Sequence, residues 1–408
     1  MPTSQRIGIQ VILGQRIRLD PNNVQATFLE RCAGAARRIW NVGLDRWQKM
    51  YEAGEKPSWR KINAEVNARK NTDLAWLREI PWAAPNNALQ DLGNAFSHFF
   101  RRVKAGEKPG YPRFKSKKRA TPAFAIEGRA LTFDGKKVKI PKLGWVRVRQ
   151  ELRFPGKVLS GRFSKKSGHW YLSVQVEVEG SWIYPHACET QAIVGMDLGV
   201  KDIAVLSNGT RVPAPRVLRR LEGRLRMLNK QLARRTKGGA NWRKTKEKLA
   251  KLHERIVNIR KDVTHNLTAS IVRQFRFIGV EDLCVKGMAR TRLAKSVHDA
   301  AMSEVLRQID YKAQLAGGVV VKAGRWYPST KTCSSCGFVN KAVVLGIESW
   351  VCPACGAVHD RDDNASINLR NLAAAHAATA CCPGSSGSVD VDGVKLPVGQ
   401  ESSSYVNQ

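Results

Sequence analysis

The sequence predicts a multidomain protein of mixed α+β and α/β class, and three observations carry that reading. A chain of 408 residues with 43% hydrophobic content is long enough for two or three compact cores. The spacing of apolar residues changes along the chain, from helical, to strict alternation, to strand and helix by turns. Two Cys-x2-Cys pairs, separated by fifteen residues, mark a small metal-held module late in the chain.

Taken in order, Ile7, Ile9 and Val11, then Ile17 and Leu19, alternate as a half-buried strand or hairpin does. Asp20-Pro21 reads as an N-cap and first-turn proline. The helix it opens carries Val24, Phe28, Ala35, Ile39 and Val42 at helical spacing, with Arg31, Arg37, Arg38 and Arg46 on the other faces. A second helix near residues 85–103 carries Leu89, Leu92, Phe96, Phe99 and Phe100 and ends in Arg101, Arg102 and Lys104. Residues 20–120 are therefore a basic helical module that closes on the loop GYPRFKSKKR.

Beyond that loop the period becomes two. Asp134-Gly135 is a tight-turn signal between Leu131, Phe133 and Val138, Ile140, and Trp170, Leu172, Val174, Val176 and Val178 alternate after the turn KKSGH. Residues 121–185 read as a small antiparallel barrel or sheet. From 186 to 375 strands and helices alternate: AIVGMDLGVKDIAVLSNG as strand-turn-strand, then FIGVEDL and GGVVVKA as strands divided by a helix. Between them Leu218, Leu221, Leu225, Leu228 and Leu232, and then Leu249, Leu252, Ile256, Ile259 and Val263, repeat at intervals of three and four. These predict an antiparallel helical hairpin over 216–265 that turns at Gly238-Gly239. The final stretch, 376–408, is polar and rich in small residues and reads as a disordered tail.

Lys and Arg number 69 against 34 Asp and Glu, a formal net charge of +35. A polyanion is the expected partner. No run of about 18 apolar residues could span a bilayer and no secretory signal opens the chain, so nucleic acid is favoured over membrane, in the cytoplasm. The hairpin supports this. Arg219, Arg220, Arg234, Arg235 and Lys237 are among its bases, whereas its acids (Glu222, Glu247, Glu254) are too few to pair them. Nine cysteines fit a reducing compartment, because only four lie in paired motifs; Cys32, Cys188, Cys284, Cys381 and Cys382 follow no disulfide framework.

Cys333-x2-Cys336 and Cys352-x2-Cys355 have the spacing of a four-cysteine zinc ribbon over 328–358. Four sulfurs close the coordination sphere, so this zinc is structural, a site class that supplies about 10–16 kcal/mol of folding energy in peptides. The chemistry then falls to carboxylates. Asp197 shares a strand face with Ile193, Gly195 and Gly199, flanking glycines that leave room for a ligand; Glu281 closes the strand FIGVE; Asp362 precedes a helical pattern from Asn364 to Ala373. Three acids at one sheet edge could hold two magnesium ions about 3.5–4 Å apart. From spacing alone each acid also suits an ordinary role: a turn cap at Asp197, a surface ion pair at Glu281, an N-cap at Asp362. His359, Asp360 and Asp363 read as turn polarity.

The segments LDPNNVQ, AARRIWN, NALQDLGNAFSHFF, GYPRFKSK, IPKLGWVRV, GMDLGVKDIAV, GVEDL, YPSTKTCSSCG, WVCPACG and HDRDDNASINL, in that order and across nearly the whole chain, resemble the TnpB family. TnpB proteins are RNA-guided nucleases of insertion sequences, related to the CRISPR type V effectors. The resemblance implies an RNase H-like (RuvC) nuclease domain over 186–375 with the zinc ribbon inserted, a helical recognition lobe over 20–120, and a β-barrel wedge domain formed by 1–19 and 121–185. It implies that Asp197, Glu281 and Asp362 are catalytic and bind two Mg2+ (or Mn2+) ions, and that the ribbon guides a strand toward them. The partners it implies are an omega RNA from the transposon end, one protein per guide, and double-stranded target DNA beside a short transposon-adjacent motif. Gln90 matches a family position near that motif and Asn87 lies one helical turn before it; for both, ordinary helix polarity is the competing explanation. Arg113 and Lys115 suit phosphate contacts. A guided binder or repressor without cleavage, or a transposase using the same acids, are the alternatives.

Overall fold

The computed structural model describes residues 10–179, 192–292, 294–344, 346–381, 390–391 and 394–395. Ile7, Ile9, Cys188, Cys382, the boundary expected at 185/186 and most of the expected tail lie outside the described residues. The chain divides into two compact units, Met1–Trp182 and Ile183–Gln408. Among the described residues no helix is long and apolar enough to cross a membrane.

The first unit begins with β1 (Gln10–Asp20), which runs one residue further than Asp20-Pro21 led us to expect. The cap is Asn22. Its Oδ1 accepts from the Gln25 N–H at 2.8 Å and the Gln25 Oε1 accepts from the Asn22 N–H at 3.1 Å, a reciprocal capping box that opens α1 (Asn23–Glu52). Leu29, Cys32, Ala36 and Ile39 face the core, whereas Val24 is exposed. α2 (Trp59–Ala68), which was not expected, buries only Ile62 and Val66, too few apolar positions to give a readable period. α3 (Ala83–Lys104) packs on α1, with Phe96 stacked on Trp47 at 4.3 Å. The basic loop is stitched to α1: Trp40 Nε1 donates to the Arg113 carbonyl at 3.0 Å and Asn41 bonds both backbone groups of Lys115.

Six further strands follow: β2 (Ala123–Glu127), β3 (Thr132–Asp134), β4 (Lys137–Ile140), β5 (Gly144–Val148), β6 (Lys157–Lys166) and β7 (His169–Glu179). With β1 they form one antiparallel sheet in the order β2-β6-β7-β1-β5-β4-β3. Trp170, Leu172, Val174, Val176 and Val178 are all buried, as their alternation requires. The hydrogen-bonded order ends on β2 and β3, so among the described residues this is an open sheet rather than a closed barrel.

The second unit is built on a five-stranded sheet in the order β10-β9-β8-β11-β12: β8 (Ile193–Asp197), β9 (Asp202–Leu206), β10 (Arg211–Pro213), β11 (Phe277–Glu281) and β12 (Val319–Ala323). β8, β11 and β12 are parallel, while β9 and β10 run antiparallel to their neighbours. α4 (Val217–Ala233) and α5 (Ala240–Gln274) make the expected hairpin, its seam formed by Val217, Leu225, Leu228, Leu252 and Ile256. α5 does not stop near residue 265. Leu267, Ile271 and Val272 continue from the hairpin onto the sheet, against Val194, Met196, Ile278 and Val280. Where one helix was expected between β11 and β12 there are three: α6 (Val285–Met288), α7 (Ala294–Ala300) and α8 (Met302–Leu315), the last packed on the same sheet face. α9 (Arg361–Cys381) covers the opposite face and continues past residue 375 into the expected tail.

Candidate active site and zinc knuckle

Two glycines explain how α9 lies on the sheet. A Cβ at Gly195 of β8 would overlap the Ser366 carbonyl, and one at Gly279 of β11 would overlap the Leu369 carbonyl. Side chains there would hold the helix off the strands, so the bare backbone lets α9 settle directly on β8 and β11. The space beside Asp197 at Gly195 is therefore filled by helix, not left for a ligand as the sequence suggested.

This close approach gathers the three acids. Met196 pairs with Val280 in parallel register, so the next residues, Asp197 and Glu281, end adjacent strands side by side. α9 starts at that edge with Asp362 in its first turn. Asp197 is 8% exposed. Burial, then the charges of Glu281 and Asp362, push its carboxyl up to about 7, and Arg361 offsets only part of the rise. A buried Asp197 with two further carboxylates close enough to raise its cost of ionisation makes a donor set that suits hard divalent cations.

The ordinary roles are taken by other residues. Asp360, not Asp362, caps α9, its Oδ1 accepting from the Asp362 and Asp363 N–H groups at 3.0 and 3.1 Å. Asp282, not Glu281, pairs with a base, Arg325 at 2.9 Å. Glu281 instead accepts from the Ser329 hydroxyl, and Asp362 accepts from Arg361 at 3.1 Å. Asp197 and Asp362 line a cleft of about 740 Å3 with Lys201, Arg211, Lys331 and Arg361. Arg211 also reaches Asp360 at 2.9 Å and Asp363 at 2.7 Å, clamping β10 to the start of α9. Asp360 and Asp363 are thus structural anchors rather than loose turn polarity.

The four cysteines are the one group of three or more His, Cys, Asp or Glu residues, among those described, whose ligand atoms all lie within 4.8 Å of each other. Cys333 and Cys355 Sγ are 3.7 Å apart, and Cys336 and Cys352 Sγ 3.6 Å, close to the edge of about 3.8 Å for a tetrahedron with Zn–S near 2.3 Å. The set fits a structural zinc. β13 (Ser349–Val351) and β14 (Val358–Asp360) complete the ribbon, and β14 runs directly into α9. His359 is buried against Trp350, with Nε2 3.0 Å from Cys333 Sγ, so it braces the knuckle and is not the turn residue its sequence context suggested.

Asn364 and Asn368 wire this knuckle to the acids. The Asn364 Oδ1 accepts from the Ser334 N–H at 2.9 Å, and both side-chain amides donate to the Thr332 carbonyl at 2.7 Å and to Ser329. Ser329 in turn holds Glu281. Both asparagines are almost fully buried. The sequence carried a signal for them, since Asn364 and Asn368 lie one helical turn apart directly after Asp362.

The expected nucleic-acid contacts divide into two groups. Gln90, Arg113, Arg219, Arg220, Arg234 and Lys237 are exposed. Three are engaged within the protein. Asn87 donates to the Ala125 carbonyl at 3.1 Å, Arg235 donates to Asn241 and Thr245 at the hairpin turn, and Lys115 Nζ lies 3.2 Å from the Trp40 ring centre. Burial lowers the Lys115 ammonium to about 8.

Comparison with known proteins agrees with this architecture. Family profiles described as "Probable transposase", "Cas12f1-like, TNB domain" and "Helix-turn-helix domain" match residues 172–292, 303–369 and 11–56. A Streptomyces pristinaespiralis protein named "Putative RNA-guided DNA endonuclease" is 33% identical over 92% of this chain and 92% of its own. An Escherichia coli K12 protein, "Putative RNA-guided DNA endonuclease InsQ", is 32% identical over 90% of this chain and 93% of its own. The cryo-EM structure of a Cas12f1–sgRNA–target DNA complex shares the fold, with a TM-score of 0.51 at 14% identity over 89% of this chain and 99% of that one. Helical and antiparallel modules, a five-stranded sheet with acids at its edge, a cysteine knuckle beside them, and a relative alike from end to end lead to one conclusion: the chain belongs to the TnpB family of transposon-encoded RNA-guided nucleases.

Proposed function

We propose that this protein is an RNA-guided DNA endonuclease of an insertion sequence, with Asp197, Glu281 and Asp362 as its catalytic acids. The observation that carries the reading is Asp197: buried, and under the charge of two acids 84 and 165 residues away in sequence. The three carboxylates would hold divalent ions, and two Mg2+ ions bound there would polarise the phosphodiester and activate the attacking water. Lys201 and Lys331 on the cleft wall supply the charge that draws a phosphate backbone inward. Ser329 and Arg361 orient Glu281 and Asp362 until metal and substrate arrive. The acids are set more widely than the four cysteine sulfurs, and each of these two bonds leaves the second carboxylate oxygen of its acid for a metal ion.

In this reading sequence choice belongs to pairing between the guide RNA and the target strand, next to a short motif read by the protein. Gln90, Arg113, Arg219, Arg220, Arg234 and Lys237 remain available to nucleic acid. Asp197→Ala tests the assignment. The variant should retain guide RNA and target binding while metal-dependent double-strand cleavage falls by at least about a thousandfold. Cleavage that survives would place the chemistry elsewhere. Binding without cleavage in the unaltered chain would favour a guided repressor, and strand-transfer products joined to transposon ends would favour a transposase.

A further inference from the structure

The large hydrophobic side chain most exposed to solvent, among the described residues, is Trp326 at 91%. Its indole takes no part in a core, yet the backbone beneath it is fixed. The Tyr327 N–H donates to the Gly324 carbonyl and the Ser329 N–H to the Tyr327 carbonyl, each at 2.9 Å, closing a tight turn. On one side of the indole Arg325 is ion-paired to Asp282, and on the other Ser329 is bonded to Glu281 and to both asparagines of α9. The turn is thus nailed at both ends to the strand end that carries a catalytic acid. Lys331, five residues on, lines the carboxylate cleft.

We propose that Trp326 is a stacking platform for an unpaired nucleobase of the strand that enters the cleft. An open aromatic face on a rigid turn accepts the π-face of any base, so it holds single-stranded nucleic acid without reading its sequence. That tolerance is what a guided nuclease needs, since its cut site changes with the guide. The fixed turn sets how far the stacked base lies from Glu281, and the nearby lysine takes the phosphate. The inference rests on the endonuclease reading above, but its first test does not require cleavage.

Full-length protein carrying Asp197→Ala and bound to its guide RNA would be titrated by fluorescence anisotropy with two probes: a short mixed-sequence single-stranded DNA and an abasic oligonucleotide of the same length. Adding Trp326→Ala should weaken binding of the base-containing probe by roughly tenfold and leave the abasic probe unchanged, while Trp326→Phe retains most of the affinity. Equal affinities for parent and Trp326→Ala would overturn the proposal, as would equal loss on both probes. A change in sedimentation with unchanged DNA affinity would assign the indole to self-association instead and likewise overturn it. With Asp197 intact, Trp326→Ala should slow cleavage at subsaturating target and spare guide RNA affinity. If the unaltered chain proves unable to cleave, the endonuclease reading fails while the two-probe comparison still decides the stacking role.

Discussion

At the scale of single residues, the carboxyl of Asp197 has the clearest consequence. Its raised value, about 7, means the native state holds this proton more tightly than the unfolded chain does. Native stability from this group is therefore greatest below the ordinary carboxylate range and is lost as pH climbs toward 7. Asn has the same shape and no charge to gain. In metal-free buffer, Asp197→Asn should raise the melting temperature above pH 7, by an amount equivalent to a few kcal/mol, and change it little near pH 4. Thermal scans across that range decide it; a pH-independent difference would mean that burial and the neighbouring acids do not hold the carboxyl up. The groups that the fold brings together were legible in the sequence where they lie in short motifs, as with the four cysteines and with Asp197, Glu281 and Asp362. It was not legible where an ordinary polar residue acquires its partner from another element. His359 beside Cys333, and Arg211 across to Asp360 and Asp363, are of that kind.

Elements were readable where one face is strongly apolar. The seam of α4 and α5 and the alternation of β7 are examples. α2 escaped because two buried residues make no pattern, and the end of the hairpin was misplaced because α5 changes partners without changing period. The contact of α9 with β8 and β11 depends on Gly195 and Gly279, which the sequence offers only as small residues in strands. Gly279→Ala should push α9 from the sheet, since its Cβ meets backbone and not a side chain that can turn aside. We expect a loss of about 1–3 kcal/mol or more in urea unfolding, with cleavage falling further than stability alone explains. A variant as stable and as active as the parent would show that the approach of helix to strand is not needed to gather the acids.

At the scale of the whole molecule, a net charge of +35 should dominate its dealings with nucleic acid. On duplex DNA the logarithm of affinity should fall by about 0.9 per neutralised phosphate for each tenfold rise in salt, and a flat response in a salt titration would remove the basic surfaces from the account. The sequence by itself determined the strongly basic character, the mixed architecture, the paired cysteines and the family, because charge, period and motif are local properties that survive without coordinates. Only the tertiary structure decided that Asp360, not Asp362, caps α9. It also decided that Asn364, Asn368 and Ser329 tie the knuckle to Glu281, and that the first unit's strands pair in the order β2-β6-β7-β1-β5-β4-β3. Those are matters of which groups meet across long separations in the chain; at the acids they depend on packing the glycine faces of β8 and β11 under α9.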